Sequence, residues 1–149
     1  MRVIVADDSL LTREGIVRML DETRVDVVAQ AKDGATLLSL VDELEPDVVV
    51  IDIKMPPTFT DEGLVAAASI RARFPEMGIL VLSQYLETAY AMRLIEEIPE
   101  RTGYLLKDRI ADIAVLVDAL HRIGEGETVI DPTIVSRLMG RPRQADPLA

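Results

Sequence analysis

The chain has no cysteine and no tryptophan, and its aromatic content is limited to three Tyr and two Phe in 149 residues. Without cysteine there is no disulfide and no thiolate metal site, and the expected setting is intracellular, in the cytoplasm. No apolar run approaches the ~20 residues that a membrane helix requires. The opening Met1-Arg2-Val3-Ile4-Val5-Ala6-Asp7 meets acid too soon to serve as a signal peptide. Positive charge is scarce as well, with 16 Lys and Arg against 26 Asp and Glu and a net charge of -10. Phosphate contacts need clustered cations, so nucleic-acid binding by this chain alone is not expected. Most of the acids read as solvated surface. The length suits one domain with a core that needs no staples.

What the chain does have is short, strongly apolar segments. Val48-Val49-Val50-Ile51 is a β-branched run of the kind buried on both faces of a parallel sheet. Asp52 follows at its carboxyl end, and Pro56 stops regular continuation. Similar strands are expected at residues 2–6, 25–31, 79–83 and 103–107. Between them lie helical patterns. Ser9 caps the first, with Leu11, Val17 (or Ile16) and Leu20 on one face. Leu37, Leu40, Val41 and Leu44 mark the second, after a turn at Asp33-Gly34. A third runs from about Asp61 to Phe74, and a fourth over 87–97. Ile110, Ile113, Leu116, Val117, Leu120 and Ile123 mark a fifth, closed by Gly124.

Five strand-then-helix units in strict alternation imply right-handed crossovers and a parallel sheet with helices on both faces. The expected fold is doubly wound α/β with strand order 2-1-3-4-5. Residues 1–124 make up this domain. Residues 125–149 read as a linker, with one or two helical turns at Thr133 to Met139 and a Pro- and Arg-containing tail.

A parallel sheet gathers its carboxyl ends on one edge. Those ends carry Asp7 and Asp8, Asp52, Ser83 and Lys107. Taken singly, an Asp-Asp pair caps a helix, a strand-end Asp or Ser bonds a turn, and a Lys is exposed charge. Taken together, three carboxylates crowd one spot and call for a cation. Hard oxygen donors suit Mg2+, while Lys107 and Ser83 supply a positive charge and a hydroxyl for an oxyanion. These are the parts of a phosphoryl-transfer site with a carboxylate nucleophile.

Asp7-Asp8, Asp52 with Met55-Pro56, Ser83 and Lys107 resemble, in order, spacing and strand context, the motif set of two-component response-regulator receiver domains, the CheY-like family with a flavodoxin-like (βα)5 fold. The resemblance covers residues 2 to about 124. It implies that Asp52 accepts a phosphoryl group from a phosphohistidine of a sensor histidine kinase. It also implies that Asp7, Asp8, Asp52 and the backbone carbonyl of Lys54 hold Mg2+, and that Lys107 pairs with phosphoryl oxygens. Ser83 and Tyr104 are the implied switch residues, although Tyr104 is also what a half-buried strand aromatic looks like. Tyr104-Leu105-Leu106-Lys107-Asp108 and Gly126-Glu127-Thr128-Val129-Ile130-Asp131-Pro132 further resemble NarL/LuxR-type transcription regulators. That likeness implies a homodimer, through the fourth or fifth element, and DNA binding only through a C-terminal helix-turn-helix domain outside these residues.

Three features depart from the family pattern. Asp108 stands where Pro usually follows the Lys. The loop Pro57-Thr58-Phe59-Thr60-Asp61-Glu62-Gly63 is longer than usual and is placed to reshape the mouth of the site or to meet the kinase. Gln84 replaces a small residue, and its bulk is expected to hinder water or small phosphodonors. A stand-alone receiver signalling by protein contact remains an alternative, as does a degenerate receiver controlled by something other than phosphorylation. A haloacid-dehalogenase-type phosphatase shares the Asp nucleophile, Mg2+ and Lys, but it requires an acid at position 54, which is Lys here.

Overall fold

Val48–Asp52 forms a strand with all five side chains buried, as its β-branched run requires. In the computed structural model, which describes residues 1–145 and side-chain surroundings through Met139, this strand (β3) lies inside a six-stranded parallel sheet. The others are β1 (Arg2–Ala6), β2 (Asp26–Ala31), β4 (Gly78–Ser83), β5 (Thr102–Leu106) and β6 (Val129–Ile130). Their order is β2-β1-β3-β4-β5-β6, so the expected 2-1-3-4-5 arrangement holds and one short strand is added beyond it.

The helices are α1 (Leu10–Leu20), α2 (Gly34–Leu44), α3 (Glu62–Arg73), α4 (Thr88–Glu97), α5 (Ile113–Gly124) and α6 (Pro132–Ala145). Alternation along the strands divides the core into two layers. Ile4, Val49, Ile51, Ile79 and Val81 face Leu37, Val41, Leu64, Ile70, Leu94 and Ile134, from α2, α3, α4 and α6. Val3, Val5, Val48, Val50, Leu80 and Leu82 face Ile16, Leu20, Leu116, Leu120 and Ile123, from α1 and α5. Burial of each such side chain contributes about 1.5–3 kcal/mol. Covering both faces leaves the carboxyl edge of the sheet as the open polar surface.

Local chemistry sets the element ends. Ser9 caps α1 by accepting from the Thr12 amide at 3.2 Å, and Asp33 caps α2 from the Thr36 amide at 2.7 Å. Three expectations change. Leu11 does not join the inner face of α1 but is 84% exposed, while Ile16 and Leu20 are buried. It lies five residues before Ile16, about 140° round a helix of ~3.6 residues per turn. The fifth helix does not run unbroken from Ile110. A single 3-10 turn (Arg109–Ala111) precedes Asp112, whose extended backbone and side-chain bond to the Ala114 amide at 3.0 Å restart the chain as α5.

The third change concerns the segment read as linker. Val129 and Ile130 pair in parallel with Gly103 and Tyr104, and α6 begins at Pro132, beyond both ends of the expected turns at 133–139. Proline at the first helical position sets φ without losing a bond. Ile134 is fully buried in the layer that holds Tyr104, Ala91 and Leu94. Residues 146–149 of the expected linker lie outside the described residues.

Candidate phosphoacceptor site

The carboxyl ends of β1, β3, β4 and β5 enclose a cleft of about 580 Å3 whose lining includes Asp7, Asp8, Asp52, Ser83 and Lys107. The strand ends thus meet as the sequence implies. Asp7 is buried at the end of β1. One of its oxygens accepts from the Ser9 amide at 2.9 Å, and the other accepts from Lys107 Nζ at 2.8 Å. Asp8, the next residue, is exposed. Lys107 follows β5, and its amide donates to the Ser83 carbonyl at 2.9 Å, which extends the ladder by one residue and aims the side chain into the cleft.

Asp52 is only 7% exposed. Among the described residues its ion-pair partner is Lys107, at 3.5 Å, and that ammonium is nearer to Asp7. Burial, and then the neighbouring Asp7 charge, push the Asp52 carboxyl up to about 6, against the opposing pull of Lys107. Lys107 is pushed up in turn, because burial is outweighed by its bond to Asp7 and by the two carboxylate charges. Gly63 explains how close the backbone comes here. A Cβ at that position would stand 2.1 Å from the Asp52 carbonyl oxygen, so only glycine lets the first turn of α3 pack under the acid.

Asp7, Asp8 and Asp52 each offer an oxygen within 4.8 Å of the other two. The donor set, three carboxylate groups close together beside a single ammonium, fits a hard divalent cation. Receiver domains typically bind Mg2+ at such an acidic cluster.

Ser83 is buried at the end of β4, and its hydroxyl donates to the Tyr85 carbonyl at 2.6 Å. Tyr104 is fully buried rather than half-buried. Its hydroxyl donates to the Glu87 carbonyl at 3.4 Å, and burial pushes the phenol up. Lys54 lines the cleft, and its ammonium pairs with Glu87 at 2.8 Å, near the Tyr85 ring. Gln84 is exposed at the mouth.

The long loop after Pro56 reaches this mouth. Phe59, in a left-handed conformation with φ 55, lines the cleft. Its neighbours are held by Glu62, whose carboxylate accepts from the Thr58 hydroxyl at 2.5 Å and from the Thr58 and Thr60 amides at 2.6 and 3.0 Å. Those donors, the Thr58 hydroxyl first, hold the Glu62 carboxyl down to about 2. Asp61 ties the same loop to α4 through Arg93 at 2.6 Å. Sequence reasoning missed Glu87 and Tyr85, whereas the loop that carries Phe59 reaches the mouth of the site as expected. The Thr-x-Thr-x-Glu spacing was a readable sign of the loop's staple, whereas the Lys54–Glu87 pair joins residues with no shared local pattern.

Known proteins agree with this geometry. A family model described as the response regulator receiver domain matches residues 3–120. The transcriptional regulatory protein DegU of Brevibacillus brevis is 32% identical over 145 residues, covering 97% of this chain and 58% of its own length. The chain thus spans about three fifths of the length of curated relatives it matches. The crystal structure of a LuxR-family two-component response regulator from Aurantimonas sp. SI85-9A1 superposes with a TM-score of 0.80 at 30% identity, covering 95% of this chain and 96% of that one. The isolated receiver domain of RcsB from Salmonella enterica serovar Typhimurium, solved with a beryllofluoride phosphomimetic, gives 0.76 at 28% identity, covering 93% and 97%. With the matched span taking in every strand end from Asp7 to Lys107, the chain belongs to the response regulator receiver domain family.

Proposed function

We propose that Asp52 is the phosphoacceptor of a two-component switch whose parent protein regulates transcription. The observation that carries this reading is the state of Asp52. It is buried, raised to about 6, and faces a cleft with one shared cation and one hydroxyl close by. A carboxylate oxygen of Asp52 attacks the phosphorus of a sensor kinase's phosphohistidine. The P–O bond forms as the P–N bond breaks, and the imidazole leaves with the bonding pair and takes up a proton. Asp7, Asp8, Asp52 and the Lys54 backbone carbonyl would hold Mg2+, which would supply charge neutralisation at the site. Lys107 turns from Asp7 to the phosphoryl oxygens. Ser83 exchanges its bond to the Tyr85 carbonyl for one to the phosphoryl group. Tyr104, bonded to the Glu87 carbonyl on the same segment, reports the change.

Water entering past Gln84 and Phe59 slowly hydrolyses the acyl phosphate. The phosphorylated chain pairs with a second copy, and DNA is reached through a C-terminal domain of the longer parent, in the cytoplasm. The DegU relative, described as a transcriptional regulatory protein, supports that output. Among the described residues no helix is long and apolar enough to cross a membrane.

Acetyl phosphate with Mg2+ is expected to place a phosphoryl group on Asp52, read by intact mass and peptide mapping. Asp52→Asn should abolish it. Equal phosphorylation of the Asn variant, or none of the wild type from acetyl phosphate or a kinase, would overturn the assignment.

A further inference from the structure

A second aspartate near the cleft is buried more completely than Asp52 and has no place in the chemistry above. Asp131 follows β6 and is 0% exposed. One of its oxygens accepts from the Leu106 amide at 3.0 Å and from Arg109 Nε at 3.1 Å. The other accepts from Arg109 Nη2 at 3.0 Å and from the Thr133 amide at 2.9 Å, so it also caps α6. Its own amide donates to the Tyr104 carbonyl at 2.8 Å. The two residues it grips, Leu106 and Arg109, flank Lys107 and Asp108. Asp108 adds no ring constraint of its own, and one distant carboxylate bonds the backbone amide just before the cleft lysine and the Arg109 guanidinium two residues after it. A bidentate fork of this kind fixes orientation as well as distance.

We propose that Asp131, through Arg109 and the Leu106 amide, is the positioning residue for Lys107 and links the placement of that lysine to the seating of α6. Lys107 and the start of α6 then share one support. A ligand that draws the ammonium away from Asp7 shifts the segment anchored to Asp131, and with it Ile134, one turn further on, in the layer beside Tyr104 and Leu94. The coupling is reciprocal: whatever α6 is joined to biases the lysine in return. Burial opposes charge on Asp131, but Arg109 and the two amides hold the carboxyl below its usual range, so the fork stays ionised at neutral pH.

The inference rests on Asp52 as phosphoacceptor, and the test separates the two. Arg109→Gln removes the fork but leaves Asp131 its amides and its cap. Asp131→Ser keeps a capping hydroxyl and loses the fork. In the full chain, the initial rate of acetyl phosphate labelling per folded molecule should fall about five-fold in Arg109→Gln and further in Asp131→Ser, as for a reacting group displaced by a fraction of an ångström. Arg109→Lys should recover part of the rate. The amide resonances of Ile134 and Leu138 should respond to beryllofluoride with Mg2+ in the wild type and lose most of that response in Arg109→Gln. A purely structural role would lower the melting midpoint of Arg109→Gln while leaving its labelling rate within about two-fold and its α6 response intact; that result overturns the proposal. A wild type that takes no phosphoryl group at all overturns the Asp52 reading instead.

Discussion

Asp52 and Asp131 are two buried aspartates at the ends of strands in the same sheet, and they are in opposite electrostatic states. Asp131 is the more deeply buried, yet its carboxyl lies below the usual range because four donors satisfy it. Asp52 keeps a little exposure, yet burial and then the neighbouring Asp7 charge push its carboxyl up to about 6, and the shared lysine, held more closely by Asp7, does not offset them. Burial alone therefore does not set the strength of an acid; the donors around it do. A satisfied buried acid holds the groups around it in place, and a frustrated one is poised to accept a cation or a reaction.

The largest effect should come from breaking the satisfied member. Asp131→Ala removes the α6 cap, worth ~1 kcal/mol, and strands the Leu106 amide, which costs about 1–3 kcal/mol more. Urea unfolding at pH 7 should show a total loss of about 2–4 kcal/mol. A loss under about 1 kcal/mol would mean that the contacts of α6 with α4, rather than the carboxylate, hold the segment.

Removing the frustrated acid should have the opposite sign. The folded state binds the Asp52 proton more tightly than an unfolded chain, whose Asp sits near 3.8. Stability associated with that proton is therefore present below about pH 4 and is lost as pH rises to about 6. At ~1.36 kcal/mol per pH unit the upper limit is about 3 kcal/mol. Asp52→Asn should stabilise the chain by roughly 1–3 kcal/mol at pH 7, with the gain fading below pH 4. Mg2+ should stabilise the wild type more than the Asn variant, because binding relieves the same repulsion. Denaturation curves across pH 4–8, with and without Mg2+, test both points. A destabilised Asp52→Asn at pH 7 would show that Lys107 satisfies this acid after all.

The comparison also shows why one aspartate was legible in the sequence and the other was not. Asp52 follows Val48-Val49-Val50-Ile51, a run that declares a buried parallel strand and places its last residue on the functional edge. Asp7, Ser83 and Lys107 are readable by the same logic, since strand ends can be listed once the alternation is seen. The five main strands and the two core layers follow from periodicity of the same kind. Asp131 follows only Val129-Ile130, too short a run to announce a strand, and its partners at 106 and 109 come together only when β6 docks on β5. Leu11 misled for a related reason. Two adjacent leucines near a cap leave the phase of the helix open, and Ile16 with Leu20 decides it through packing against the sheet. The resting bonds of Lys107 to Asp7 and of Ser83 to the Tyr85 carbonyl were equally hidden, because they depend on distances across the cleft.

The smallest effect belongs to an ion pair between these extremes. Lys54 and Glu87 meet at 2.8 Å on the rim of the Asp52 cleft, but their side chains are 43% and 26% exposed, so water screens the pair. Exposed pairs contribute about 0.2–1 kcal/mol, and less as salt rises. Lys54→Ala should cost no more than that in urea unfolding at low ionic strength, and the cost should shrink at about 1 M salt, where screening extends over only ~3 Å. The Asp131–Arg109 pair, with one partner fully buried, should keep most of its contribution under the same salt. If both pairs weaken alike, Asp131 is screened like a surface group, and the contrast between a satisfied interior acid and a frustrated one loses its physical basis.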